Sequence, residues 1–100
     1  MRIIARNTLA EYWRNHRETE PALRDWLSVV RRADWSRMAD VRRAFSKASI
    51  INNERVAFDI CGGNYRLIVA IKFSARIVFI KFVGTHAEYD RIDAATVDRH

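Results

Sequence analysis

Between Gly62 and Asp93 the chain gathers Arg66, Lys81, His86 and Tyr89, the side-chain types that metal-free phosphodiester chemistry on RNA requires. A guanidinium or ammonium can hold a phosphate and stabilise charge building on it. A histidine can give or take a proton near neutrality, and a phenol can stack on a base or relay a proton. Arg66 and Lys81 fall within two apolar runs, and the second run leads straight into Gly84-Thr85-His86-Ala87-Glu88-Tyr89-Asp90. These groups can act together only if the intervening segments bring them to one end of one sheet.

From Glu54 onward the apolar residues alternate with period two, as in strands with one buried face. The sets are Val56, Phe58 and Ile60, then Tyr65, Leu67, Val69, Ile71 and Phe73, then Val78, Ile80 and Phe82. Gly62-Gly63 predicts a two-residue hairpin turn, because glycine reaches positive φ without strain. That turn sets Cys61 opposite Asn64, Ile60 opposite Tyr65, Asp59 opposite Arg66, Phe58 opposite Leu67 and Val56 opposite Val69. Apolar residues then pair with apolar ones, and a one-residue slip would break the match. A tight turn at Ser74-Ala75 predicts Val78, Ile80 and Phe82 beside Ile71, Val69 and Leu67. The reverse face then carries Asp59, Arg66, Lys72 and Lys81, with Val83 opposite Arg66.

The first half of the chain supplies the cover for that sheet. Residues 2–6 predict a short first strand, and Asn7 or Thr8 can cap a helix whose apolar positions are Leu9, Tyr12 and Trp13. Thr19 predicts the cap of a second helix, with Pro21 in its first turn, where the missing N–H costs nothing. Ala22, Leu23, Trp26, Leu27 and Val30 form its buried stripe. Residues 34–48 place Trp35, Met38, Val41 and Phe45 at near-helical spacing among many arginines. They predict a solvated connector pinned by Trp35 and Phe45. The expected architecture is α+β in the order β-α-α-β-β-β, a small antiparallel sheet with two N-terminal helices packed on one face and a short C-terminal tail.

The 100 residues, 49% of them apolar, suit one domain spanning residues 1–100. Eighteen Lys and Arg against 12 Asp and Glu give a net charge of +6, which favours a polyanionic partner. The lone Cys61 excludes an internal disulfide and a cysteine-based zinc site, and fits a reducing cytoplasm. The start, Met-Arg-Ile-Ile-Ala-Arg-Asn, lacks an apolar signal core, and no run reaches membrane-spanning length, so a cytoplasmic protein without membrane association is expected. Three scattered histidines offer no metal-ligand spacing, and Gly62-Gly63 precedes no helix start that could cradle a phosphate. No metal or cofactor is expected.

No acidic residue occurs between Asp59 and Glu88, whereas Arg66, Lys72, Arg76 and Lys81 all lie inside that interval. Arg66 can bind two phosphate oxygens at once, or bridge to Asp59 across the hairpin, and the two roles are compatible. Lys81 is either an ordinary solvent-facing lysine or a second cation a diagonal step from Arg66. His86 follows the strand end by three residues, a context that His16 and His100 lack. Tyr89 either stacks on a base or covers the core edge. Arg31, Arg32, Arg42 and Arg43 form a basic flank able to meet a phosphate backbone or an acidic partner.

Gly63-Asn64-Tyr65-Arg66-Leu67, Val78-Phe79-Ile80 and above all Gly84-Thr85-His86-Ala87-Glu88-Tyr89-Asp90 resemble the HigB-type toxins of the RelE superfamily. The resemblance covers essentially the whole chain. It implies the toxin of a type II toxin–antitoxin system, partnered by a HigA-like antitoxin with a helix-turn-helix domain. It also implies an endoribonuclease that cuts mRNA, commonly on the ribosome, and so inhibits translation. On this resemblance Arg66 matches the strand arginine near the scissile phosphate, and Tyr89 matches a tyrosine that stacks or assists proton transfer. His86 falls where many relatives carry a catalytic residue. The dense lysine pair of RelE itself is lacking, so on this resemblance that charge falls to Lys81 or to some other group. Arg31, Arg32, Arg42, Arg43 and Lys72 are then expected to grip RNA, ribosomal RNA included. The competing expectations are a non-catalytic RNA-binding module, and a degenerate toxin that only binds its antitoxin.

Overall fold

In the computed structural model, which describes residues 1–99, a five-stranded mixed sheet carries three helices on one face and the C-terminal segment on the other. In chain order the elements are β1 (Arg2–Ile4), α1 (Arg6–Asn15), α2 (Glu20–Arg32), α3 (Met38–Ala44), β2 (Ser49–Ile50), β3 (Arg55–Ile60), β4 (Tyr65–Lys72), β5 (Ile77–Thr85) and α4 (His86–Tyr89). The sheet order is β1-β5-β4-β3-β2. The α+β class stands as expected, but the sheet is not wholly antiparallel: β1 runs parallel to β5, while the other neighbours are antiparallel. The cause is connectivity. A strand joined to the sheet through helices, rather than through a tight turn, is free to return in the parallel sense.

The stripe on α2 buries Leu23, Trp26 and Val30 against Phe58 and its neighbours. Trp26 meets Phe58 edge-on with centroids 5.5 Å apart, Phe58 meets Phe45 at 4.9 Å, and Phe45 meets Trp35 at 6.2 Å. Edge-to-face contacts of this kind add to the burial of large rings. Trp35 and Phe45 do pin the 34–48 segment, yet its middle is α3 and not an irregular connector, because the near-helical spacing buries Val41. Ser36 donates its backbone N–H to Asp40 Oδ2 at 2.9 Å just ahead of the first turn. That bond holds the Asp40 carboxyl below its ordinary range. The cap at Thr19 differs from expectation. A single 3₁₀ turn, Arg17–Thr19, runs directly into α2, and the Thr19 hydroxyl donates backwards to His16 O at 2.6 Å. α1 likewise starts at Arg6 without a side-chain cap from Asn7 or Thr8.

The β3–β4 register is the one that apolar matching requires: Ile60↔Tyr65, Asp59↔Arg66, Phe58↔Leu67 and Val56↔Val69. Its turn is longer than two residues. Positive φ begins at Cys61 (φ 54) and continues through Gly62 (φ 67) and Gly63 (φ 99), so Cys61 belongs to the loop and does not pair with Asn64 as a strand residue.

The β4–β5 register holds for Val78↔Ile71 and Ile80↔Val69 and then shifts, with Ile68↔Phe82, Leu67↔Val83 and Arg66↔Gly84. Lys81 is the extra residue of a β-bulge. The shift turns Phe82 to the outer face, where it packs with Ala57, Ile68 and Val97, and turns Val83 toward the helix side. Phe82 therefore does not lie beside Leu67 in the main core, and Gly84, not Val83, faces Arg66. The C-terminal segment closes over this second cluster. Arg55 Nη1 donates to Ala94 O at 3.1 Å and Val97 O at 2.7 Å, and Arg99 N donates to Lys81 O at 2.7 Å.

Gly84 is the most closely packed of the three glycines, since a Cβ there would sit 2.7 Å from Phe82 Cζ and 3.1 Å from Glu88 Oε1. Gly84→Ala is expected to lower the urea unfolding free energy by about 1–3 kcal/mol, the usual cost of overpacking. An unchanged unfolding midpoint would show that the Phe82 ring is not fixed there.

Candidate functional site

Thr85 and Glu88 make α4. The Thr85 hydroxyl accepts from Glu88 N at 3.1 Å while Glu88 Oε1 accepts from Thr85 N at 2.8 Å, a reciprocal capping box. The Thr85 N–H, as the larger cause, holds the Glu88 carboxyl below its ordinary range. A further bond, His86 N to Asn64 O at 2.9 Å, ties α4 to the β3–β4 hairpin. The one-turn helix is thereby fixed at the end of the sheet where β4 begins, beside Arg66.

Arg66 is held from one side only. Its Nη1 lies 2.6 Å from Asp59 Oδ1 and donates to Gly63 O at 3.0 Å. Its guanidinium carbon stands 5.5 Å from the centre of the Tyr89 ring. No protein partner among the described residues takes Nε or Nη2, so one edge of the fork is anchored and the other is available to a bidentate anion. Both sequence expectations for Arg66 therefore meet in one geometry: the bridge to Asp59 exists, and it orients the side chain.

His86 lies half-exposed on α4. Its Nδ1 is 3.0 Å from Asp90 Oδ2, one helical turn on. With Nδ1 engaged by a carboxylate, Nε2 is the ring nitrogen left to exchange a proton. The Tyr89 ring is 6.5 Å from that of His86, at 70°, and it also leans on the outer-face cluster of Ala57, Ile68 and Phe82. Tyr89 thus stands between Arg66 and His86 and covers the core edge as well. Asp90 was not singled out from the sequence, although its i, i+4 spacing from His86 is the signal that could have found it.

Lys81 is not part of this group. The bulge places it three positions before Gly84, roughly 10 Å along the strand from the residue facing Arg66. Its Nζ points to Asp98 Oδ2 at 3.5 Å. The diagonal contact with Arg66 expected from an unbroken ladder is absent for that reason. Lys72 sits at the far end of β4, about 20 Å along the strand from Arg66. Arg31 and Arg32 close α2 near the same far end, where Arg76 Nε pairs with Asp34 Oδ1 at 2.6 Å. Arg31 lines a small pocket there with Arg2 and Arg6. Arg42 and Arg43 lie exposed on α3, with Arg43 Nη1 3.2 Å from Asp40 Oδ1. Arg31, Arg32 and Lys72 are therefore removed from Arg66 and His86 along the sheet.

His16, which lacks context in the sequence, has it in the fold. Its ring stacks on Tyr12 at 4.0 Å, Tyr65 approaches both rings edge-on, and the Tyr65 hydroxyl donates to Glu18 Oε2. That bond holds Glu18 below its usual range and pushes the Tyr65 phenol up, and burial raises the Tyr12 phenol. These contacts fasten α1 to the start of β4 on the helix side. His100 lies outside the described residues.

Against known proteins, the family model for HigB toxin, a RelE-like toxic component of a toxin–antitoxin system, matches residues 19–92. The chain is also 30% identical over 94 residues, 92% of its own length and 91% of the relative's, to the mRNA interferase HigB of Escherichia coli O6:H1.

The capping box predicts an acid-sensitive α4. A carboxyl whose folded pKa is depressed contributes stability that is present above its unfolded value, near 4.3, and is lost as pH falls through the folded value. Amide exchange in α4 is expected to quicken, relative to the central strands, as pH drops below about 4. Glu88→Gln should remove that local pH dependence. If α4 exchange tracked the central strands at every pH, the capping box would not be what fixes α4.

Proposed function

Because this chain belongs to the HigB toxin family of RelE-like toxic components of toxin–antitoxin systems, we propose that it is a metal-independent endoribonuclease that cuts mRNA on the ribosome and so inhibits translation. The observation that carries the proposal is the open edge of the Arg66 guanidinium, held toward Tyr89 and α4 by Asp59. The mRNA substrate is supported by the activity named for the Escherichia coli relative.

In the proposed reaction the 2′-OH of the scissile nucleotide attacks its own phosphorus in line. The 2′-O–P bond forms, the P–O5′ bond breaks, and a 2′,3′-cyclic phosphate and a 5′-hydroxyl result. Arg66 binds the non-bridging oxygens through Nε and Nη2 and stabilises the charge that builds on them. His86, with Nδ1 held by Asp90, moves the proton at Nε2, as base for the 2′-OH or acid for the leaving 5′-oxygen. Tyr89 offers its ring to a base beside the phosphate. Asp59 and Asp90 are positioning residues, one for each catalytic side chain. Lys81 enters only as background charge, since it is paired with Asp98.

The remaining positive charge has a use in the same scheme. Arg31, Arg32 and Lys72 with Arg2 and Arg6 at the far end, and Arg42 and Arg43 on α3, are proposed to grip ribosomal RNA. The cognate antitoxin is proposed to be a HigA-like helix-turn-helix protein encoded alongside, and the site of action the cytoplasm.

Folded Arg66→Ala is expected to cut mRNA at a rate reduced roughly 10²–10³-fold, and His86→Ala at a rate reduced roughly 10²–10⁴-fold. Primer extension on translated mRNA measures both, and wild-type cleavage by either variant would remove it from the reaction. Reversing Arg31 and Arg32 to Glu should weaken ribosome binding and flatten its salt dependence. Unchanged binding in a salt titration would assign that flank another partner.

A further inference from the structure

The outer face of the sheet carries two arginines that are held in different ways. By strand alternation Arg55, Ala57 and Asp59 share that face of β3. Arg55 therefore stands about 13 Å along the strand from the carboxylate that anchors Arg66. Arg66 pairs with Asp59, whereas Arg55 bridges to no carboxylate among the described residues. Its Nη1 donates instead to two carbonyls of the C-terminal segment, Ala94 O at 3.1 Å and Val97 O at 2.7 Å. A charged donor makes such bonds stronger than a neutral one does.

The segment that Arg55 holds has no helix or strand of its own after α4. Its donors are met locally, since Ala95 N donates to Asp93 Oδ1 at 3.0 Å and Val97 N to Asp93 O at 2.9 Å. Its carbonyls at Ala94 and Val97 depend on Arg55. Two residues on, Arg99 N donates to Lys81 O. The segment is thus a strap across the outer face, tied to β3 by Arg55 and to β5 at Lys81. Val97, 8% exposed, completes the cluster of Ala57, Ile68 and Phe82 beneath it, and Tyr89 and Ile92 pack on that same cluster. The capping box fixes the start of α4, but Tyr89 lies at its end, where Ile92 N donates to Tyr89 O at 3.3 Å. The bearing of the Tyr89 ring toward Arg66 then rests on a cluster that the strap closes.

We propose that Arg55 is a positioning residue for RNA cleavage. By clamping Ala94 and Val97 it keeps the strap closed over the outer-face cluster, and so holds the Tyr89 ring where it meets the base beside the scissile phosphate. The role of Tyr89 rests on the reading of this chain as a ribonuclease; the clamp itself does not. Arg55 stands too far along β3 to share the phosphate with Arg66, so its effect passes through the ring.

Steady-state cleavage of a model mRNA on programmed ribosomes, with Arg55→Ala, Tyr89→Ala and the double variant, tests this. Arg55→Ala should raise KM about threefold to tenfold, a part of what stacking one base on an aromatic ring contributes. Its kcat should change less than about twofold, as for a lost binding contact. In the Tyr89→Ala background Arg55→Ala should have no further effect, because the group it acts through is gone. Val97→Ala loosens the strap and leaves Arg55 in place; it should raise KM in the same direction, and it carries the test if Arg55→Ala does not fold. In the RNA-free protein each strap variant should weaken the NOEs between the Tyr89 ring and the methyl groups of the outer-face cluster. Wild-type protein that cut no RNA would sink the nuclease and leave the clamp to be decided by those NOEs. NOEs unchanged in the folded variants would overturn the clamp, and so would an unchanged KM beside an active wild type. A KM increase that persisted in the Tyr89→Ala background, with a flatter salt dependence, would overturn it too, since Arg55 would then meet RNA phosphates directly.

Discussion

One extra residue in β5, Lys81, organises the end of the sheet where Arg66, His86 and Tyr89 meet. Up to Ile80 the strand alternates in step with β4, and after Lys81 it alternates in the opposite phase. The phase change puts Phe82 on the outer face and gives the C-terminal segment an apolar surface to cover. It also sets a residue without a side chain opposite Arg66, leaving room for the Phe82 ring and the Glu88 carboxylate. Thr85 follows at the strand's end and starts α4 by capping it. Without the bulge, Gly84 would face the helices and α4 would leave the sheet on another bearing.

On that frame the electrostatics are asymmetric. The chain is cationic as a whole, but the cation at the centre of the site is held by a carboxylate on the neighbouring strand. Asp59 fixes one edge of the guanidinium and leaves the other open, which favours a planar bidentate anion over a point charge. Asp90 does the same for His86 by occupying one ring nitrogen. Arg66 and His86 thus each have an acid partner that arrives through local geometry, one across a strand pair and one a helical turn away.

Much of this was legible in the residues, and the parts that were not share a cause. Alternation in Val56–Ile60 and Tyr65–Val69 fixed the hairpin register, and with it the Asp59–Arg66 pair, because only one register buries every apolar residue. The bulge was hidden because β5 is apolar on nearly every position, so alternation cannot report its phase. Ile92, Ala94 and Val97 follow no helical or strand period, and their cover of the outer face depends on tertiary contact alone. Thr85 and Glu88 stand at capping-box spacing, but no apolar run follows them to mark a helix start, so their reciprocal bonds emerge only in the fold. The parallel β1 depends on how helices return the chain to the sheet, which no local pattern encodes.

The central claim is that the Arg66–Tyr89–His86 group cleaves RNA through the substrate's own 2′-hydroxyl. A model mRNA carrying a single 2′-deoxy nucleotide at the cleavage position, incubated with the wild-type protein and programmed ribosomes, tests it most directly. The account predicts no cut at the deoxy position, and a 2′,3′-cyclic phosphate with a 5′-hydroxyl at the matched ribose. Cleavage of the deoxy substrate at an undiminished rate would contradict it, because the nucleophile would then have to be water or a protein side chain.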